Sequence, residues 1–145
     1  MKFGWINLFG AGFVILIMIP NIIYALTNKN KTEVTVPLYL NVCEQIGRYG
    51  CIILMWLPLM VWEFGFKTTD EFVIYILFNL ILIIAYYICW FGYFRQKTLK
   101  RGMALAIIPA SMFLISALLL RHWLLALFAC LFGFAHIRIT YLTHK

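Results

Sequence analysis

Residues 72–94 read FVIYILFNLILIIAYYICWFGYF, a run of 23 residues that contains no charged side chain. The hydrocarbon core of a bilayer is about 30 Å thick, and an α-helix needs about 20 apolar residues to cross it. The run is therefore long enough to span a membrane as one helix. The next segment, RQKTLKR (95–101), carries four positive charges in seven positions, as the cytoplasmic flank of a span often does.

The rest of the chain repeats this pattern of apolar runs separated by short polar segments. Of its 145 residues 65% are hydrophobic and 12% are charged, and the mean hydropathy is +0.95. Four further runs carry no charge, at 3–28, 49–62, 102–120 and 122–137. We predict one all-α domain (1–145), a polytopic bundle of five transmembrane helices at about 4–26, 38–66, 70–95, 102–120 and 122–143.

The net charge of +7 fits membrane topology better than nucleic-acid binding, because the basic residues lie in short clusters between apolar runs. If 95–101 is cytoplasmic, nine Lys and Arg residues lie inside and three outside. The inside set is Lys29, Lys31, Arg48, Arg95, Lys97, Lys100, Arg101, Arg138 and Lys145, and the outside set is Lys2, Lys67 and Arg121. We therefore expect a plasma (inner) membrane protein with the N-terminus outside, the C-terminus cytoplasmic and no nucleic-acid partner.

Small and polar residues recur along each span at steps of three and four, which marks one face of a helix. Span 4 has such a line at Gly102, Ala106, Ala110, Phe113 and Ala117, and span 5 at His122, Ala126, Ala129, Gly133, His136 and Thr140. Span 3 has one at Tyr75, Asn79, Leu82, Tyr86, Trp90 and Tyr93. Small residues let membrane helices approach closely, so spans 4 and 5 should form a tight hairpin.

The polar residues inside the spans are the candidates for function, because an ionisable group at the bilayer centre costs about 2.5–3.5 kcal/mol. Glu44 and Arg48 form an i, i+4 pair. We predict a ligand-binding cavity that opens to the cytoplasm. Its residues would be Asn21, Glu44, Gln45, Arg48, Tyr86, Trp90, His136 and Thr140, with Arg138 adding charge. Alternatively, Glu44 and Arg48 form a solvated first turn and Arg138 reaches lipid phosphates.

The residue inventory excludes most membrane enzymes. There is one aspartate, Asp70, and the sequence contains no G-x-S-x-G, no H-E-x-x-H and no C-x-x-C. The remaining catalytic candidates are Glu63, Arg121 and His122, which gather at the outer ends of spans 2, 4 and 5 and could perform acid/base chemistry on a lipid head group. Interfacial anchoring is the simpler role for them, so enzymatic activity is uncertain and the inventory favours a non-enzyme.

The two histidines of span 5, His122 and His136, are separated by 14 residues, or about 21 Å of helix. This spacing is similar to that by which membrane b-type cytochromes hold two haems. That family needs a second histidine for each haem, whereas this chain has only one other, His144. We therefore predict no haem, no metal and no other cofactor.

Three hypotheses for function remain. The first is a binding or transport protein that takes a small amphipathic or anionic ligand, or a lipid-like one, from the cytoplasm. The second is a non-catalytic accessory, immunity or regulatory subunit that binds another membrane protein, a peptide or a second copy of itself. The third is a lipid-modifying enzyme with its site at the outer interface. Small-residue faces buried within one chain would favour the first, and lipid-facing ones the second.

Overall fold

A computed structural model describes residues 2–4, 6–28, 34–57, 59 and 64–144. It contains five helices, which are α1 (Leu8–Thr27), α2 (Leu38–Trp56), α3 (Thr69–Arg95), α4 (Leu99–Leu120) and α5 (Trp123–His144). A short antiparallel pairing joins β1 (Lys2–Gly4) to β2 (Phe64–Gly65). The described part of the chain is otherwise helical or turn, so the prediction of an all-α bundle is confirmed.

The ends of the first two helices differ from the prediction for local reasons. Helix α1 begins at Leu8 and not at 4, because Asn7 is its N-cap and accepts a hydrogen bond from the Gly10 amide at 2.9 Å. Helix α2 ends at Trp56 and not at 66. Its C-cap, Leu57, is extended (φ −109°, ψ 106°), as expected for a residue that precedes a proline in the sequence.

Four helices, α1, α3, α4 and α5, are long and apolar enough to cross a membrane. Helix α2 does not belong to this set, since its 19 residues include Asn41, Glu44, Gln45 and Arg48. The prediction of five spans is therefore supported by composition for four of them. Those four apolar helices indicate that the chain associates with a membrane.

The helices pack as a closed ring in the order α1, α2, α5, α4, α3 and back to α1. Helices α4 and α5 form the predicted hairpin, with Gly133 packed against the Ala110 methyl group. Helix α2 packs equally closely against α5, through Gly47. A Cβ atom on Gly47 would lie only 2.6 Å from the Phe132 amide nitrogen, so these two backbones are in direct contact.

One end of the ring, which we call the basic end, is where α1, α3 and α5 finish and where α2 and α4 begin. The Lys97 ammonium donates to Asn28 Oδ1 at 2.9 Å, which joins the α3–α4 connection to the end of α1. The Tyr93 hydroxyl and His144 Nε2 are 2.7 Å apart, which joins α3 to the end of α5. These bonds fix the rim of the bundle at this end.

The other end, the capped end, is closed by buried polar pairs. Asn7 donates to the Tyr75 hydroxyl at 3.0 Å, and Asn79 bonds Ser116 at 3.2 Å. Asn79 also donates to the Tyr75 carbonyl at 2.8 Å. Because each buried amide is paired, the interior here is filled without leaving open hydrogen-bonding groups.

Candidate functional site

A cavity of about 1670 Å³ lies inside the ring and opens at the basic end. All five helices contribute to its wall. Arg48 lines it ten residues into α2, which corresponds to a depth of about 15 Å. Pro109 of α4 and Phe132 of α5 line it at similar depth, and Thr143 lies near its mouth. The cavity therefore reaches about halfway through the bundle.

Most of the predicted ligand-binding residues meet at this cavity. Asn21, Arg48, Tyr86, Trp90, His136 and Thr140 line it. Glu44 does not line it, but lies buried at 6% exposure and bonds both Arg48 and His136. Gln45 and Arg138 are exposed and lie outside the lining, so the structure does not bring these two residues to the cavity.

The core of the site is the buried carboxylate of Glu44. Its Oε1 accepts a hydrogen bond from the Arg48 guanidinium and lies 2.6 Å from His136 Nδ1. An ionised carboxylate can only accept, so the Nδ1 of His136 carries the proton. Phe132 stacks on the imidazole with the ring centroids 4.9 Å apart. The ring of His136 is therefore held from two sides, while its Nε2 has no hydrogen-bond partner among the described residues.

Arg48 offers donors to the cavity. Its side chain is 35% exposed, and the only hydrogen bond recorded for it in the described part of the chain runs from one terminal nitrogen to Glu44. The guanidinium has five N–H groups in a planar fork. Most of them therefore remain open to the cavity, in the arrangement that binds carboxylates and similar anions.

The opposite wall, formed by α1 and α3, combines aromatic rings with further donors. Asn21 donates to the Tyr86 hydroxyl at 2.8 Å, which ties α1 to α3. Trp90 is 6% exposed, and its indole Nε1 is the one buried side-chain nitrogen or oxygen without a partner in the described residues. The Tyr86 hydroxyl interacts with this nitrogen but not at hydrogen-bond geometry. The Trp90 ring meets the rings of Tyr86 and Tyr93 at 89° and 90°, so this wall presents both faces and edges of aromatic rings.

The charges around the cavity are positive. Among the described residues that line it, Arg48 and Lys97 are cationic and none is an acid. Arg95, Lys100, Arg101 and Arg138 lie on the same end of the bundle. The described acids other than Glu44 are Asp70 and Glu71, at the capped end. In general, a concave site lined by charge of one sign concentrates ions of the opposite sign.

Two residues of the site, His144 and Tyr93, were not in the predicted set. His144 lines the cavity because α5 continues to it without a break, and its Nδ1 bonds the Thr140 carbonyl at 2.9 Å. The Tyr93 hydroxyl bonds the other ring nitrogen of His144. The available signal was the step of four from His136 through Thr140 to His144, which keeps all three on one face.

The candidate catalytic residues at the capped end have structural partners where they are described. Glu63 lies outside the described residues. Arg121 bonds both carboxylate oxygens of Glu71, at 2.9 and 2.7 Å. His122 accepts from the Leu125 amide through Nδ1 at 2.9 Å and donates to the Leu59 carbonyl through Nε2, also at 2.9 Å.

Burial lowers the pKa of His122, which favours the neutral imidazole that these two bonds require. With both nitrogens engaged by the backbone, His122 caps the first turn of α5. Arg121 has a left-handed backbone (φ 53°) and ends α4. The pair thus forms the tight turn between α4 and α5.

Groups of three or more His, Cys, Asp or Glu side chains that could hold a metal ion do not occur among the described residues. The cysteines Cys43, Cys51, Cys89 and Cys130 are free thiols. The chemistry that the cavity offers is therefore hydrogen bonding, positive charge and aromatic contact.

Comparison of the chain with protein-family models, with curated proteins and with solved structures gave no match. The cavity is therefore the basis on which a function can be assigned.

Proposed function

We propose that this chain is a small integral membrane protein that binds or transports a small amphipathic anion. The ligand enters the cavity from the cytoplasm. One observation carries this proposal: within the bundle lies a large cavity whose described lining includes the partly exposed guanidinium of Arg48 and contains no acid. Ligand sites are concave and largely apolar, with a few polar groups that orient the ligand, and this cavity has that composition.

Helix α2 is the fifth transmembrane span in this proposal, although its composition is the most polar. Its charged pair faces inward, with Glu44 buried in the ring. Its outer face is an apolar stripe at Leu38, Val42, Ile46, Tyr49 and Ile53, all of them exposed. A helix whose charged side chains face a cavity, with apolar residues toward lipid, avoids most of the free-energy cost of placing those charges in the hydrocarbon core.

The orientation follows from the basic end. Short cytoplasmic loops carry an excess of Lys and Arg, and the described basic residues gather at the end where the cavity opens. The N-terminus is then outside, the C-terminus is cytoplasmic, and the cavity opens toward the cytoplasm of a cell with this protein in its plasma (inner) membrane.

The small-residue faces favour a cavity over an accessory subunit. The stripe of α4, at Gly102, Ala106, Ala110 and Ala117, is buried, and so are Ala129 and Gly133 of α5. Because these residues are used for packing within one chain, they do not form a lipid-facing surface for a second copy or for a partner helix.

The ligand is held at two places. Its anionic head group accepts hydrogen bonds from Arg48, which is the deepest cation of the lining. Its apolar body lies against Phe113, Phe132 and Trp90, which line the same space. Aromatic walls bind flat or chain-like apolar groups through large contact areas. A ligand that has only an anionic head group, or only an apolar body, contacts only one of these two places.

Arg48→Gln should weaken binding of the probe 2-naphthoate by about tenfold or more, the loss expected for a charge-assisted hydrogen bond. Isothermal titration calorimetry in a mild detergent measures this affinity. The control is Arg138→Gln, because Arg138 is exposed and outside the cavity, and it should leave the affinity unchanged. Equal losses in the two variants, or no binding by the unmodified protein, would contradict the proposal.

A further inference from the structure

We infer that the head group bound at Arg48 is a monoanion of the carboxylate or sulfonate class, and that it binds together with one proton on His136. The inference rests on the proposed function of the cavity. It concerns the charge that the Glu44, Arg48 and His136 cluster presents to a ligand, which decides both the class of ligand and the effect of pH on binding.

The guanidinium of Arg48 already has a counter-ion. Glu44 bonds it directly, and the carboxylate is only 8% exposed. An anion that binds Arg48 therefore brings a second negative charge to one positive charge. In a partly buried site, uncompensated charges interact more strongly than in water, so this arrangement is unfavourable. Arg48 alone orients an anion but does not balance it.

His136 can supply the missing charge. Its Nδ1 bonds Glu44 and carries the proton of the neutral ring, while its Nε2 has no partner in the described part of the chain and the residue lines the cavity. A proton added at Nε2 turns this atom from an acceptor into a donor. The protonated ring then bonds Glu44 on one side and an anion in the cavity on the other.

The sum of the charges selects the ligand. With His136 protonated, Glu44 contributes −1 and Arg48 and His136 contribute +1 each, which gives the cluster a net charge of +1. A monoanion balances it. A dianion such as a phosphate monoester leaves a net charge of −1 about 15 Å inside the bundle, where solvation is weaker.

The other titratable and charged groups around His136 do not replace it in this role. They are Glu44 and Arg48 on α2, Tyr86 and Tyr93 on α3, Lys97 at the mouth, and His144 on α5. The described lining residues of α1 add only the Tyr24 phenol, and those of α4 add no titratable group. His144 is committed to Tyr93 and to the Thr140 carbonyl. The proton taken up on binding comes from solvent and forms an N–H bond at Nε2 of His136, while the covalent bonds of the ligand do not change.

Calorimetric titration with 2-naphthoate in buffers of different ionisation enthalpy tests the inference. The observed heat should depend on the buffer, and proton uptake should rise toward one per ligand between about pH 5 and pH 8, the range in which histidine side chains in general lose their proton. Over the same range the affinity should fall by about tenfold per pH unit once the free protein has lost that proton.

His136→Gln is the informative variant, since a glutamine amide can still donate to Glu44 but does not titrate in this range. We expect its binding of 2-naphthoate to be independent of pH, with no proton uptake. The control, Arg138→Gln, changes an exposed residue outside the cavity and should keep the proton uptake of the unmodified protein.

The possible failures can be told apart. If the unmodified protein binds 2-naphthoate with no proton uptake, or if uptake persists in His136→Gln, the inference is wrong and the proposed function stands. Tighter binding of 2-naphthyl phosphate than of 2-naphthoate would overturn the monoanion assignment. No binding of 2-naphthoate at any pH would overturn the proposed function as well. The buffer dependence of the heat of binding, measured with the unmodified protein, tests proton uptake even if a variant does not fold.

Discussion

Replacing Gly47 with alanine is expected to lower the free energy of unfolding by about 3 kcal/mol, the upper range for an added methyl group in a packed core. Its Cβ would lie 2.6 Å from the amide nitrogen of Phe132 and 2.7 Å from its Cα. Both atoms belong to the backbone of α5, so no side-chain rotation relieves the contact. Helices α2 and α5 must separate, and the bond between Glu44 and His136 is lost with them. Unfolding by dodecyl sulfate in mixed micelles measures the change.

Gly12→Ala is the matched control for this substitution. Gly12 also lies within a helix, but a Cβ atom there would have no other atom within 4 Å. Its replacement should leave stability unchanged or raise it by up to about 1 kcal/mol, because alanine favours a helix over glycine. Equal stabilities of Gly47→Ala and Gly12→Ala would show that the close approach of α2 and α5 is wrong.

The second large effect is expected at Glu44, where alanine should lower the free energy of unfolding by about 2 kcal/mol. The substitution leaves Arg48 and His136 without their shared acceptor inside the bundle. Removing one member of a buried pair costs more than the pair contributes, because the remaining charge is unpaired. The expected loss of unfolding free energy is smaller than is usual for breaking a buried ion pair, because Arg48 is 35% exposed and water can reach it.

Gln45→Ala supplies the comparison, because Gln45 is the next residue along α2, is exposed and has no side-chain hydrogen bond recorded in the described residues. It should change stability by less than about 0.5 kcal/mol. The same unfolding assay compares the two variants. Equally small losses at Glu44 and Gln45 would mean that the polar residues of α2 share a solvated turn instead of a buried cluster.

Helical periodicity predicted the packing faces well in spans where small or polar residues lie on one side and large apolar residues on the other. In α4, Gly102, Ala106, Ala110, Phe113 and Ala117 are all buried as the step of three and four required. In α3, Tyr75, Asn79, Tyr86, Trp90 and Tyr93 are buried, and Leu82 of the predicted line gives way to Ile83. A lipid-exposed face and a packed face differ in residue size, and that difference is visible in the sequence.

The members of the site were predicted less completely, and helix geometry explains one of the two errors. Gln45 shares the steps of three and four that join the lining residues Asn41, Arg48 and Ile52, so helical phase does not exclude it, yet it is exposed and outside the lining. Arg138 is two positions from His136 and is turned about 200° from it, onto the outer face. Polarity alone placed both residues in the predicted set, and helical phase excludes only Arg138.

The ring order and the helix ends could not be read from hydropathy. The contact of Gly47 with Phe132 brings α2 beside α5, although α3 and α4 lie between them in the chain. Such a contact depends on two helices that are distant in sequence. The start of α1 depends on the side chain of Asn7, and the end of α2 depends on a proline. Each helix end is therefore set by one residue, which the hydropathy of the surrounding apolar run does not reveal.

The measurement that tests the cavity most directly is thiol labelling at two adjacent positions of α2, in a chain whose four cysteines are first replaced by alanine. Ile52 lines the cavity, whereas Ile53 is 43% exposed on the outer face that we assign to lipid. Sulfonatoethyl methanethiosulfonate, an anionic reagent, should modify Ile52→Cys from the cytoplasmic side of inside-out vesicles and leave Ile53→Cys unmodified. Its cationic trimethylammonium analogue should react more slowly at Ile52→Cys. Equal labelling of the two positions, or protection of both, would contradict an anion-attracting cavity that opens at the basic end.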